Sequence, residues 1–324
     1  MVARLPEPAL LDQEPSSDSF LDEVLLGLQQ SPKTLPCKYF YDKRGSQLFD
    51  QICDLDEYYL TRTELAIMDA YAPQMAAQIG PGVMLVEYGS GSSVKTRILL
   101  DHLPEVAAYV PVDISRKHLQ HTCLDLARSY PTLDVLPVCA DFTTDFDLPI
   151  PQHEPTHCAV YFPGSTIGNF GRREAEKLLS QIAPLCGVGG GLLIGIDLQK
   201  DRETLEAAYN DSRGITAEFN LNLLRRINRE LRGDFHLERF RHVANYNAEL
   251  GRVELFLRSL RDQVVTVAGT TFGLAANELI CTEHSHKYTV DGFSRMAAKA
   301  GLTLRKQWTD AEQRFAVLHY AVID

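Results

Sequence analysis

The chain has 324 residues, enough for one large domain or two, and its 45% hydrophobic and 23% charged content suits a globular protein with its own core. The formal net charge of −11 argues against a nucleic-acid partner, because phosphate backbones demand clustered Lys and Arg. A small-molecule substrate is the better expectation.

Residues 1–20, rich in Pro, Asp, Glu and Ser, read as a flexible lead-in without the apolar stretch of a signal peptide. No run approaches the roughly 18 apolar residues of a membrane span. Seven cysteines, with no CxxC pair, fit reduced thiols better than a disulfide framework or a zinc knuckle. The expectation is a cytoplasmic protein without a membrane partner. The spacing of Phe20, Val24, Leu25 and Leu28 predicts a short helix over 20–29, and an aromatic segment follows.

From residue 83 the pattern becomes strands alternating with helices. Apolar runs at 83–88, 108–112, 135–139, 158–162 and 192–196 are separated by helical stretches at 94–101, 117–129 and 172–183. Near-continuous apolar strands between helices predict a parallel sheet covered on both faces. After Asp197 the rhythm breaks. Residues 199–250 read as polar and helix-like, followed by a strand at 252–258 and a strand pair at 264–267 and 279–288. A helix at 293–300 and a strand at 314–322 resume the alternation. The expected organisation is a nucleotide-binding core, 62–198 with 287–324, and a second lobe, 1–61 with 199–286.

The first strand ends in Glu87-Tyr88-Gly89-Ser90-Gly91, where glycine permits a tight turn and close ligand approach at a helix N-terminus. Val94 stands at the third glycine position of a dinucleotide fingerprint, so GxGxxG is not satisfied. The E-x-G-x-G string resembles instead motif I of class I methyltransferases, which bind S-adenosylmethionine (SAM). Asp113 closes the second strand and can accept from ribose hydroxyls. Asp141 closes the third and can accept from an adenine amino group, with Phe142 beside the base. Lys95 is either a helix-surface residue or a supporting one.

The fourth strand ends in FPGSTIGNF, Phe162 to Phe170. Gly164 permits close backbone approach. Asn169 can hold a substrate carboxylate or amine, or cap the following helix. In an extended segment Glu283, Ser285 and Lys287 share one face, with His284 and His286 on the other. A carboxylate and a hydroxyl two residues apart can address the two nitrogens of an imidazole, or lie on a solvated face. His284-x-His286 and His118-x-x-His121 lack a supporting Cys or acidic set, so no metal is expected.

The strings KYFYDKRGSQLFDQI, EYYLTRTE, EYGSGSSVKTR, GSTIGN, FNLNLLRRINREL and TEHSHKY resemble the L-histidine N-alpha-methyltransferase family of ergothioneine biosynthesis. The similarity runs from about Ser31 to the C-terminus. It implies a class I SAM-dependent methyltransferase of α/β fold, a Rossmann-like doubly wound sheet with an inserted substrate-binding lobe. It implies trimethylation of L-histidine to hercynine with SAM as cofactor, by a monomer. Tyr58 and Asn169 match the residues gripping the substrate carboxylate, and Tyr209 matches a further carboxylate-binding tyrosine. Tyr41 matches the catalytic position near the amine, and Glu283 and Ser285 the imidazole anchors. Gly89, Lys95, Asp113, Asp141 and Phe142 match cofactor contacts, with Glu87 and Gly91 in the same motif. Leu255 stands where better-known members carry methionine in the imidazole pocket. That departure keeps methylation of another aromatic amino acid as an alternative. A non-catalytic SAM-binding protein and a nicotinamide dehydrogenase are the other readings.

Overall fold

The computed structural model describes residues 8–13, 17–91 and 93–323; Ser92 of the glycine loop and residues 1–7 and 14–16 of the expected lead-in lie outside them. Strand β1 (Leu11–Gln13), helix α1 (Ser17–Gln29) and strand β2 (Lys33–Thr34) precede α2 (Lys43–Cys53) and α3 (Tyr59–Ile79). Then β3 (Val83–Tyr88), α4 (Val94–Leu100), β4 (Ala108–Asp113), α5 (Arg116–Ser129) and β5 (Val138–Ala140) alternate, followed by β6 (His157–Phe162), α6 (Arg172–Cys186) and β7 (Gly191–Asp197). Helices α7 (Arg202–Ala207) and α8 (Ile215–Glu230) lead into β8 (Phe240–Asn247), β9 (Arg252–Ser259), β10 (Gln263–Val267), β11 (Thr270–Leu274) and β12 (Leu279–His286). Helix α9 (Val290–Ala298) and strands β13 (Leu302–Thr309) and β14 (Phe315–Val322) come last. The described residues form two compact units, one of 8–13, 60–199 and 288–323, the other of 17–59 and 200–287.

The first unit is a doubly wound α/β layer around an eight-stranded mixed sheet of order β1-β5-β4-β3-β6-β7-β14-β13. Strands β1 to β7 of this sheet run parallel, and β14 is antiparallel to both its neighbours. Alternate residues show why its strands are apolar throughout. Val86, Tyr88, Val110, Val160, Phe162 and Ile194 join one core with residues of α6 and α9. Their neighbours Leu85, Tyr109 and Tyr161 are equally buried on the opposite face, where the Tyr161 hydroxyl meets Met68 of α3. A strand covered on both faces has no polar side to alternate with. The order reverses between β3 and β6, which opens a crevice at the carboxyl ends of the strands.

The second unit holds a four-stranded sheet of order β2-β12-β9-β8 and the hairpin β10-β11. Helix α8 buries Phe219, Leu223, Leu224 and Ile227 and fastens α2 through Asp42. Asp42 caps α2 by accepting from Gly45 N at 2.7 Å, and also accepts from Asn222 and Arg229.

The structure departs from the sequence expectations in four places. Leu11–Gln13 is no lead-in but an edge strand paired with β5 in the first unit, whereas the sequence pattern places residues 1–61 in the second lobe. Within the helix-like span 199–250 lies β8, whose burial repeats every four residues rather than every two. The strand at 264–267 pairs with Thr270–Leu274, while 279–286 pairs with β9, so the two do not form one pair. Strand β13 escapes detection because its centre, Arg305-Lys306-Gln307, is exposed. Among the described residues no helix is long and apolar enough to cross a membrane.

Candidate active site

In the first unit, the carboxyl ends of β3, β4, β5 and β6 carry Gly89, Asp113, Asp141 and Gly164 to one edge of the sheet. Gly89 (φ +70°) turns the chain out of β3 in a conformation that disfavours a side chain. The loop is anchored from the neighbouring strand: Asp113 accepts from Gly91 N at 3.4 Å and from Ser115 N at 2.8 Å. Burial raises the Asp113 carboxyl above its ordinary range, against those backbone hydrogen bonds. Asp141 accepts from the Thr143 N–H and hydroxyl, at 3.0 and 2.6 Å. Phe142 stacks on Tyr88 with ring centroids 5.0 Å apart and lies edge-on to Phe162 and Phe170.

Glu87 points away from this edge into the protein. It is 1% exposed and accepts from the hydroxyls of Thr96, at 2.6 Å, and Tyr109. Burial pushes its pKa up to about 8 despite those donors, so at neutral pH it is largely an uncharged acid tying β3 to α4. Lys95 is not a surface residue either. Its ammonium pairs with Glu64 of α3, whose carboxylate is fully buried and also accepts from Gly164 N at 3.1 and 2.9 Å. Asn169 ends the 3-10 turn Thr166–Asn169 and is half-buried. It does not cap α6, because the N-cap is Gly171, whose N–H donates to Glu174 at 2.7 Å.

In the second unit a β-bulge between Cys281 and Glu283 re-aims the end of β12, beside Thr282, whose hydroxyl donates to Leu255 O. Beyond the bulge Glu283 lies opposite Leu255 of β9, which is 1% exposed. Ser285 and Lys287 share a face, their polar atoms 2.9 Å apart, while the His284 and His286 rings approach each other at 6.3 Å. The Tyr209 hydroxyl lies 2.8 Å from both Ser285 Oγ and Lys287 Nζ. Burial pushes the Glu283 carboxyl up to about 7, opposed by the Lys287 charge. Tyr58 is buried edge-on to Tyr209, and burial, reinforced by Tyr209, Cys53, Tyr41 and Glu283, holds its phenol well above the usual range. It therefore remains a hydrogen-bond donor at any physiological pH. Tyr41, half-buried, packs edge-on against Phe49 and Phe219.

The family model described as "Histidine-specific methyltransferase, SAM-dependent" matches residues 20–322. The chain belongs to this family. It is 38% identical over 312 residues to the histidine N-alpha-methyltransferase of Mycolicibacterium smegmatis, covering 95% of this chain and 96% of that one. Against the enzyme of the same name from Mycobacterium tuberculosis it is 39% identical over 300 residues, covering 91% and 92%. It is also 33% identical to ergothioneine biosynthesis protein 1 of Neurospora crassa, covering 87% of this chain and 32% of that longer protein.

This member of the histidine-specific methyltransferases is thus a SAM-dependent enzyme, and its first unit suits that cofactor. Two carboxylates at adjacent strand ends match hydroxyl and amino donors. The Ser90 hydroxyl, buried in the glycine loop, has no hydrogen-bond partner among the described residues. The structure brings Gly89, Gly91, Asp113, Asp141 and Phe142 to the strand edge, and Lys95 beside Gly164 through Glu64. It separately gathers Tyr41, Tyr58, Tyr209, Leu255, Glu283 and Ser285 in the second unit. The resemblance gives Tyr209 to the substrate carboxylate, whereas here its hydroxyl lies on Ser285 and Lys287. Two residues were missed. Glu64 ends the string EYYLTRTE, and Lys287 shares the face of Glu283 in the sequence pattern, but neither carries a signal of its contacts.

Proposed function

We propose that this chain transfers methyl groups from SAM to the α-amino nitrogen of L-histidine three times in succession, giving hercynine, the first step of ergothioneine biosynthesis. The observation that carries the substrate assignment is the pair Glu283 and Ser285 on one face of β12, within a chain of the histidine-specific family. Glu283 accepts from one ring nitrogen and Ser285 serves the other. An apolar side chain would leave that carboxylate unpaired, and the penalty for a buried unpaired group is what rejects it.

On the second unit, Tyr58 donates to the substrate carboxylate and Tyr41 lies near the amine, directly or through water. On the first, Asn169 and Gly164 take substrate, while Gly89, Gly91, Lys95, Asp113, Asp141 and Phe142 hold the cofactor and Glu87 braces its loop. SAM supplies an electrophilic methyl, so the residues must present the amine unprotonated and in line. Removing the ammonium from water favours its neutral form.

Leu255, opposite Glu283, favours the competing reading of an Nα-methyltransferase for another aromatic amino acid. The Glu283–Ser285 pair weighs against it, since an indole offers one N–H and no acceptor. The same reading makes the protein a cytoplasmic monomer that binds neither nucleic acid nor membrane, which the net charge of −11 and the lack of a CxxC pair in the sequence support. Incubating purified protein with SAM and histidine tests the proposal by mass spectrometry. Mono-, di- and trimethylated histidine should appear in that order, and unchanged histidine beside consumed SAM would overturn it.

A further inference from the structure

Lys287, immediately after β12, is only 3% exposed. A buried lysine is costly unless its N–H groups are satisfied. Here the ammonium lies 2.8 Å from the Tyr209 hydroxyl and 2.9 Å from that of Ser285, and those two oxygens are 2.8 Å apart. An ammonium has three donors and no lone pair, so it donates in both contacts. A serine hydroxyl has two lone pairs and one O–H. Lys287 fills one lone pair. Either hydroxyl can donate in the Tyr209–Ser285 contact; the direction taken is that in which the phenol, the more acidic of the two, donates and fills the other lone pair. The Ser285 proton is then left to point outward.

We propose that Lys287 is a specificity-determining positioning residue: by occupying a Ser285 lone pair it makes Ser285 a dedicated donor. This rests on the histidine reading above. Glu283 accepts the ring N–H and Ser285 donates to the ring nitrogen that carries no proton. The pair so oriented complements a ring with one N–H and one nitrogen lone pair. A pyrrole of the same shape keeps the N–H but leaves the Ser285 O–H with nothing to receive it. Lys287 also lowers the pKa of Glu283 through its charge. That second effect acts on any ring N–H alike and therefore cancels when histidine is compared with a pyrrole analogue.

The test compares the wild type, K287M and K287R on histidine and on the two pyrrolylalanine isomers, which carry carbon in place of one ring nitrogen. The wild type should favour histidine in kcat/KM by about 10²-fold or more, as expected of a site built around a polar pair. In K287M the freed Ser285 turns its proton elsewhere. The KM for histidine should then rise about tenfold beyond any change seen with the analogues, with kcat nearly unchanged. K287R, still donor-only, should restore part of the discrimination. S285A, which removes the donor and one Lys287 partner together, should reproduce the collapse, and K287Q, whose amide oxygen can accept from Ser285, decides the matter if K287M does not fold. Equal losses on histidine and the analogues in K287M or K287Q would overturn the proposal and leave the histidine reading intact, whereas equal losses in S285A would overturn both. Failure of the wild type to methylate histidine at all would sink both.

Discussion

Single side chains here do work that their types alone do not announce. Glu87, read from the sequence as part of a cofactor motif, is a buried acid with a pKa near 8 that fastens α4 to β3. Its pH dependence has a definite sign. Below its ordinary value of 4.5 the group is protonated whether the chain is folded or not. Between 4.5 and about 8 the unfolded chain ionises it while the folded protein does not, so stability falls as pH rises through that window. Chemical denaturation of the wild type and of Glu87→Gln at pH 5 and pH 9 should therefore diverge. The glutamine variant should gain on the wild type by a few kcal/mol, on the order set by 1.36 kcal/mol per pKa unit. Parallel behaviour would place the ionisation of Glu87 elsewhere. Asp113 and Asp141 were legible because strand periodicity alone puts them at the edge of a sheet. Glu64 was not, because its partners Lys95 and Gly164 are 31 and 100 residues away. Lys287 was legible as a direction along a strand and not as a contact, because Tyr209 comes from a distant loop.

At the scale of elements, Glu64 lets α3 hold both α4 and the loop after β6. Glu64→Ala would strand the mostly buried Lys95 ammonium and release Gly164 N. Breaking such a pair costs about 3 kcal/mol or more, because the remaining charge stays buried without compensation. Urea denaturation should show that loss. Calorimetric titration should show weaker SAM binding by about tenfold, one such interaction being worth roughly 1.4 kcal/mol to the cofactor. Unchanged SAM affinity would make Glu64 a purely structural residue. The core strands β3, β4, β6 and β7 were legible because burial on both faces writes a continuous apolar run. The strands that were missed or mispaired carry a different pattern. β13 has its charged centre exposed, β8 lacks a period of two, and β1 is three residues long. The bulge before Glu283 leaves no trace in composition, yet it fixes which face the anchor residues share.

At the scale of the molecule, the fold belongs to a cofactor-driven enzyme with a net charge of −11. A ligand that binds only the folded chain stabilises it by mass action. S-adenosylhomocysteine at 100 times its Kd should add about 2.7 kcal/mol, seen as a raised Tm, and NADH should add nothing. The opposite ranking would revive a nicotinamide enzyme. The central claim is the choice of substrate, and a competition measures it most directly. Equimolar histidine, tryptophan and tyrosine are offered together with limiting SAM to the wild type and to Glu283→Ala, and the methylated products are separated by mass spectrometry. Methyl groups should fall almost wholly on histidine for the wild type, with that preference lost in the variant by about 10²-fold or more. Preferential methylation of tryptophan or tyrosine by the wild type would contradict that claim.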